Sequence, residues 1–455
     1  MYQFSGKLKI FAIALIILGA LGTAISFMSA PKTVDEAKEI IAQHDAHNGE
    51  HTAAATEGHG EKVAHEENEG TAHYEHILHQ MQNRPWSAFY VALIFSLGIS
   101  LLMLAFYAAQ RVAQAGWSVV LFRVMEAITA NLVPASIIMI VILICSYMHI
   151  NHLFPWMAEG TVDPTSDKFD PIIYGKKWWL NTPGWLIRGF VYLAGWNFYR
   201  YFIRKNSIKQ DNGDLKLHKK NYNASVIFLV FFMLSESMAS WDWIMGLDPH
   251  WFSTLFGWYV LASLLVSALT VTALVTIYLR NKGALPFVNN SHIHDLAKFM
   301  FGFSIFWTYL WFAQFLLIWY ANMPEETTYF AMRFNEYKLP FLGMVVANFV
   351  FPVLLLMNSD FKSVPWFVTL AGLVILAGHY TDLFVMIMPA TVGAHWSFGI
   401  PEISALLFFI GIFIYATFSA FARVNPIAKG NPYIRESEEF HYNNVEDRGQ
   451  ENNHH

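Results

Sequence analysis

Ten stretches of the chain are about as long and as apolar as a membrane-crossing helix must be. They cover residues 10–28, 86–110, 119–148, 183–202, 224–245, 256–278, 300–320, 340–357, 364–389 and 403–421. A helix rises 1.5 Å per residue, so about 20 apolar residues cross a hydrocarbon core of ~30 Å. Composition agrees: 55% of the residues are hydrophobic and 14% charged, where a water-soluble domain carries roughly a quarter charged. The expected class is an all-α integral membrane protein with ten transmembrane helices. The length of the third and its Pro134 predict a kink or a tilt, and Asn348 and Pro352 interrupt the eighth. The first follows Lys7 and Lys9 and resembles a signal peptide, but its best small-residue site, Ala24 and Ser26, lies inside the apolar run. Residues 1–28 are therefore read as a retained anchor.

Orientation follows from the basic residues near helix ends. Lys7 and Lys9 precede the first helix, and Arg111 follows the second. Arg204, Lys205, Lys209, Lys216, Lys219 and Lys220 follow the fourth; Arg280, Lys282 and Lys298 follow the sixth; Arg423 and Lys429 follow the tenth. With ten spans all of these fall on one side, so both termini are expected in the cytoplasm of a bacterial inner-membrane, multi-pass protein. Two cytoplasmic segments, 215–222 and 293–301, look amphipathic and are expected at the membrane surface. Residues 29–85 form a His-rich acidic periplasmic extension, with histidines at 44, 47, 51, 59, 65, 73, 76 and 79. It is read as a solvated arm, and its rival reading is a metal-binding or proton-collecting arm. Residues 151–182 form a second outer loop with the Asp, Pro and Trp content of an ordered docking surface. Residues 86–424 make the transmembrane core, and 425–455 a polar cytoplasmic tail expected to be disordered beyond Pro432.

Several functions are excluded. The single cysteine, Cys145, permits no intrachain disulfide, no Cys-ligated iron–sulfur cluster and no c-type haem attachment. His379 is the one histidine well inside an apolar run, which leaves no facing partner for a b-type haem. The chain is thus expected to hold no metal of its own, and any electron transfer falls to partners. No basic stripe suits nucleic acid.

The informative residues are the ionisable ones within the spans, because each costs about 2.5–3.5 kcal/mol at a helix centre. Helix direction puts Arg188, Glu236, Asp242, His379 and Asp382 in one outer layer, with Asp248 and His250 just above it. His379 and Asp382 share a helix face, as do Ser235 and Asp242. Glu126 is the exception in a nearly dry inner half, with Asn131 and Gln314 able to extend a polar chain from it. These eight ionisable residues are candidates for a proton pathway or a quinol site. The alternative is structural: Arg188 with Asp242 or Glu236 as a buried ion pair, Asp248 as a cap, and Trp241, Trp243, Trp251 and Trp258 as interfacial anchors. Spans two to five and six to nine also form two sets of four, each beginning and ending outside, as parallel repeats would.

The runs "MASWDWIMGLDPHWFSTLFGWY" and "FWTYLWFAQFLLIWYANMPEETTYF" resemble the NrfD-like (polysulfide reductase membrane subunit) family. The nearer likeness is to the two large membrane subunits of alternative complex III, a quinol:cytochrome c oxidoreductase, and it covers most of residues 86–424. The resemblance implies two four-helix bundles plus two flanking helices. It implies a second NrfD-like subunit, an iron–sulfur subunit and c-type haem subunits as partners, with a terminal cytochrome oxidase as a further one. The extended first loop is similar to that of the second large membrane subunit. On that resemblance the chain conducts protons, or couples them to oxidation of menaquinol or another quinone, while haem and iron–sulfur clusters sit on its partners. The rival functions are direct quinol binding with electrons passed to an iron–sulfur partner, and a stand-alone ion-coupled transporter.

Overall fold

The computed structural model describes residues 2–36, 38, 63–394 and 396–442. Among them there is no strand. Ten long helices dominate: α1 (Gly6–Met28), α2 (Val63–Val112), α3 (Gly116–Tyr147), α4 (Thr182–Gln210), α5 (Leu215–Trp243), α6 (Phe256–Asn281), α7 (Asn290–Ala321), α8 (Lys338–Leu356), α9 (Pro365–Thr391) and α10 (Ile400–Ala422). Nine of them, all but α4, are long and apolar enough to cross a membrane among the described residues. The fourth expected span does form α4, of 29 residues, but Arg188, Asn197 and its many aromatic residues lower its apolarity.

The packing follows from which helices are apolar all round. α2 and α6 are central, each with 89% of its most apolar window buried within the chain, whereas α1 has 17%. α2 to α5 pack as one ring of neighbours and α6 to α9 as a second, joined through α2, α5 and α6. α10 lies against α2 and α3, and α1 runs along α10. That last pairing needs small residues: a Cβ on Gly411 would sit 2.8 Å from the Ala12 carbonyl oxygen, and one on Gly19 would sit 2.4 Å from the Phe408 nitrogen.

Irregular backbone falls where proline or asparagine predicts it. α3 breaks into a 3-10 turn at Thr129–Asn131 and resumes at Leu132, with Pro134 in its first turn. α8 contains a π turn at Val346–Val350, immediately before Pro352. Such insertions concentrate at functional sites, and this one carries Asn348.

Two expectations need correction. The boundary at 85/86 does not interrupt the chain: α2 runs through Pro85, because the flanking turn is tied down by Asn83 to the His152 carbonyl and Arg84 to Glu402. Segments 215–222 and 293–301 are helical and belong to the N-terminal parts of α5 and α7, which are capped by Asp214 and Asn289. The tail is ordered past Pro432, as far as Tyr442: Ser437 Oγ donates to the Trp117 carbonyl and accepts from the Val120 amide. Both described chain ends meet one end of the bundle, where Tyr2 packs on Phe421 and Asn289 donates to the Phe440 carbonyl. Residues 37 and 39–62 of the histidine arm, with His44, His47, His51 and His59, lie outside the described residues, while 63–85 form the start of α2 and His79 packs edge-on against His152.

Candidate functional site

The eight candidates separate into distinct environments. His379 and Asp382 are fully buried on α9. Asp382 accepts from the Tyr259 hydroxyl, from Ser263 Oγ at 2.7 Å and from Trp307 Nε1 at 2.8 Å. Ser263 Oγ also lies 3.0 Å from His379 Nδ1. A hydroxyl has one proton. If Ser263 gives it to Asp382, His379 Nδ1 must be the protonated ring nitrogen. Nε2 then carries the lone pair, and Nε2 is buried with no hydrogen-bond partner. Asn348, delivered by the π turn of α8, places its amide 3.4 Å from Nδ1 and leaves its own Oδ1 unpartnered. Only glycine at 378 admits it, since a Cβ there would stand 2.0 Å from Asn348 Oδ1. Trp307 closes the other side, edge-on to the imidazole at 5.3 Å.

An outward connection starts at Tyr259. The short helix Pro324–Asn335 folds back over this end and inserts Tyr329 and Arg333, both buried. Arg333 donates to the Tyr329 carbonyl at 2.7 Å and lies over its ring, and its Nε has no partner. Burial pulls the guanidinium below its ordinary value, against the pull of Tyr329, Asp248 and Tyr259. Burial likewise raises the Tyr329 phenol; Arg333 opposes this, while Asp382 and Asp248 add to it. Asp248, half-buried, is thus electrostatically linked to this inner group.

The partner ring is different. Arg188 holds Asp242 in two parallel bonds of 2.8 and 2.7 Å. Tyr192 adds a third at 3.2 Å, and the guanidinium lies 4.1 Å over Trp179. Ser235 shares the face as expected, accepting from Trp196 Nε1 at 2.9 Å. The geometry is that of a closed ion pair joining α4 to α5, the structural alternative raised by the sequence. Glu236 has no such counterpart: it is 4% exposed, and its Oε2 is buried without a hydrogen-bond partner. It lies one turn deeper on the α5 face where Ser240 meets Gly257 of α6.

His250 stands apart from the layer. It is exposed, and its Nε2 pairs with Asp170 Oδ2 at 2.6 Å. Burial would raise the Asp170 carboxyl, but His250 and the Ile173 and Ile172 amides hold it below its ordinary value.

Glu126 accepts from Tyr107 at 2.6 Å and pairs with Arg123 at 2.7 Å. Arg123 continues to Asp211 at 2.6 Å, and Arg111 reaches Tyr107 and Ser207. This cluster ties α2, α3 and α4 together at the end where the chain termini meet. Asn131 does not extend it: its amide bonds Ser96 and Ser100. Gln314 lies instead on the α7 face of Trp307, toward the opposite end.

Sequence reasoning missed Arg123 and Arg333. Arg123 stands three residues before Glu126, a spacing that signals the pair. Nothing in the sequence signals that the loop helix carrying Arg333 turns inward. Among the described residues, no three His, Cys, Asp or Glu side chains gather as a metal site. Compared with known proteins, the chain matches no family model and no curated relative.

Proposed function

We propose that this chain is a membrane subunit of a quinol:cytochrome c oxidoreductase of the alternative complex III type. In this reading it holds no metal centre and conducts protons, or couples them to quinol oxidation on a neighbouring subunit. All ten helices span a bacterial inner membrane, with both termini cytoplasmic. The partners are a second NrfD-like subunit, an iron–sulfur subunit and c-type haem subunits.

The observation that carries this reading is the His379–Ser263–Asp382 group. It joins a basic ring nitrogen without a partner to a carboxylate through one hydroxyl, at intramembrane depth. Buried polar atoms are normally satisfied, and an intramembrane histidine–acid pair is a proton-relay motif by default. His379 Nε2 accepts a proton. Nδ1 releases one through Ser263 to Asp382, which Tyr259 also contacts; the Arg333 charge and Asp248 act on this group through the field rather than as proton carriers. Proton-release measurements on the assembled complex test the relay. Asp382→Asn and His379→Gln should uncouple proton release from electron transfer while the complex still assembles. Unchanged proton release in both variants removes the group from the mechanism.

Direct quinol binding is the second reading, favoured by one feature. A cavity of about 270 Å³ lies beside the Arg188–Asp242 pair, lined by Lys176, Trp178, Trp179, Trp241, Trp251 and others. The Trp241 and Trp251 indole N–H groups are buried without partners, and they suit the oxygens of a quinone ring. Quinone retained by the purified chain, and lost in Trp241→Phe, would favour this reading over the first.

A further inference from the structure

An apolar cleft of about 660 Å³ runs between α2, α6, α9 and α10, walled by Phe95, Leu274, Leu376, Phe409, Phe413 and Ile414 among others. That volume is within the roughly 300–1,000 Å³ of ligand sites. Along α10 it reaches from Leu406 to Phe418, roughly 18 Å of helix, or a little over half of a ~30 Å hydrocarbon core. Three of its hydroxyls are engaged by the protein. Ser96 Oγ accepts from Asn131 at 2.9 Å, Thr381 donates to the Ala377 carbonyl at 2.9 Å, and Tyr380 reaches the Glu402 carbonyl at 3.5 Å.

At the end where the chain termini meet, a second cavity of about 540 Å³ is lined by Tyr2, Gln3, Ser5, Lys282, Gly283 and others. Tyr278 lines both cavities. The second has what the first lacks. Lys282 is exposed at its rim, and the Tyr2 hydroxyl is buried beside Tyr278 without a hydrogen-bond partner of good geometry.

We propose that the two cavities together bind one anionic glycerophospholipid, with an acyl chain in the cleft and its phosphate at Lys282 and the Tyr2 hydroxyl. The polarity runs the right way for such an amphiphile: dry along the helices, cationic at their ends. A quinone would bring its polar ring into the dry cleft, whose inner hydroxyls are already engaged. A zwitterionic lipid would fill the cleft but leave the Lys282 charge without a net counter-charge. The inference is independent of the proton relay, because neither His379 nor Asp382 lines either cavity.

The full-length chain is reconstituted in nanodiscs of equal phosphatidylglycerol and phosphatidylcholine, then re-extracted, and retained lipid is read by native mass spectrometry. Phosphatidylglycerol should be retained about five-fold over phosphatidylcholine, the ratio that ~1 kcal/mol per basic residue near anionic headgroups implies. Lys282→Gln, which removes the charge at this exposed helix end without placing an acid there, should abolish the preference. Ala377→Trp, filling the cleft, should reduce retention of both lipids. Equal retention of the two lipids by the wild type overturns the proposal. So does an unchanged preference in Lys282→Gln, or a protein partner cross-linked through Ala377→Cys in native membranes.

Discussion

Asp242 and Asp382 occupy the last helices of the two rings, and both are fully buried, yet they are satisfied in opposite ways. Asp242 meets a guanidinium in a two-bond clamp. Asp382 meets only neutral donors, with a histidine 3.8 Å away whose second nitrogen is unpartnered. A bidentate arginine fixes geometry and binds charge tightly. A carboxylate held only by neutral donors beside an imidazole lets a proton change owner between the two. The difference teaches that burial within an apolar helix does not by itself mark an acid as a functional candidate; the partner decides.

Four experiments break or sharpen that contrast. The largest effect is expected from Arg188→Ala, which strands Asp242 in the interior and should destabilise the chain by about 3–5 kcal/mol. Unfolding in detergent measures it, and Arg188→Ala with Asp242→Ala together should recover part of the loss. A fully stable single variant would mean that the clamp is not structural. Second, Asp382→Asn should lower proton-coupled turnover about 100-fold, the lower range for a positioned acid or base, with little loss of assembly. If Asp382→Asn instead prevents assembly and Asp242→Asn prevents turnover, the two roles are reversed. Third, Ser263→Ala should slow turnover less than Asp382→Asn, because it removes the bridge and leaves both ends; an effect as large as that of Asp382→Asn would make the hydroxyl itself essential. The smallest effect concerns Asp170. Its folded-state value lies below the ordinary 3.8, so its contribution to docking the outer loop is present above that value. It is lost as pH falls through the lower, folded one. Protease protection of residues 151–182 should follow this acid limb in the wild type and lack it in Asp170→Asn.

Glu126 sharpens the same lesson at the other end of the bundle. From its residue type it is a candidate for proton uptake. With Arg123 at 2.7 Å, Tyr107 at 2.6 Å and Arg204 at 3.9 Å, it is instead surrounded by compensating charge. The sequence carried one half of that fact, since Arg123 is three residues away on the same face. The other half, that Tyr107 and Arg204 arrive from α2 and α4, depends on how the helices pack. Glu236 is the reverse case: among the described residues no cation pairs with it, so it stays a candidate.

That the chain is all-helical with many membrane-length apolar helices was legible in the sequence, because a continuous apolar run of that length has few stable fates other than a helix; where several of them begin was not, since α2, α5 and α7 start well before their apolar runs. The break near Pro134 and the irregular turn before Pro352 were legible too, since proline removes a donor wherever it stands. That the acids lie within the apolar helices was legible from their positions in the runs. Their partners were not. Helix periodicity fixes which residues share a face, but it does not say which other helix that face meets, and the paired partners here stand 54 and 119 positions apart in the chain. Only the tertiary structure decided that Arg188 closes on Asp242 while His379 keeps a free nitrogen, because side-chain contacts form between helices whose packing no local pattern encodes.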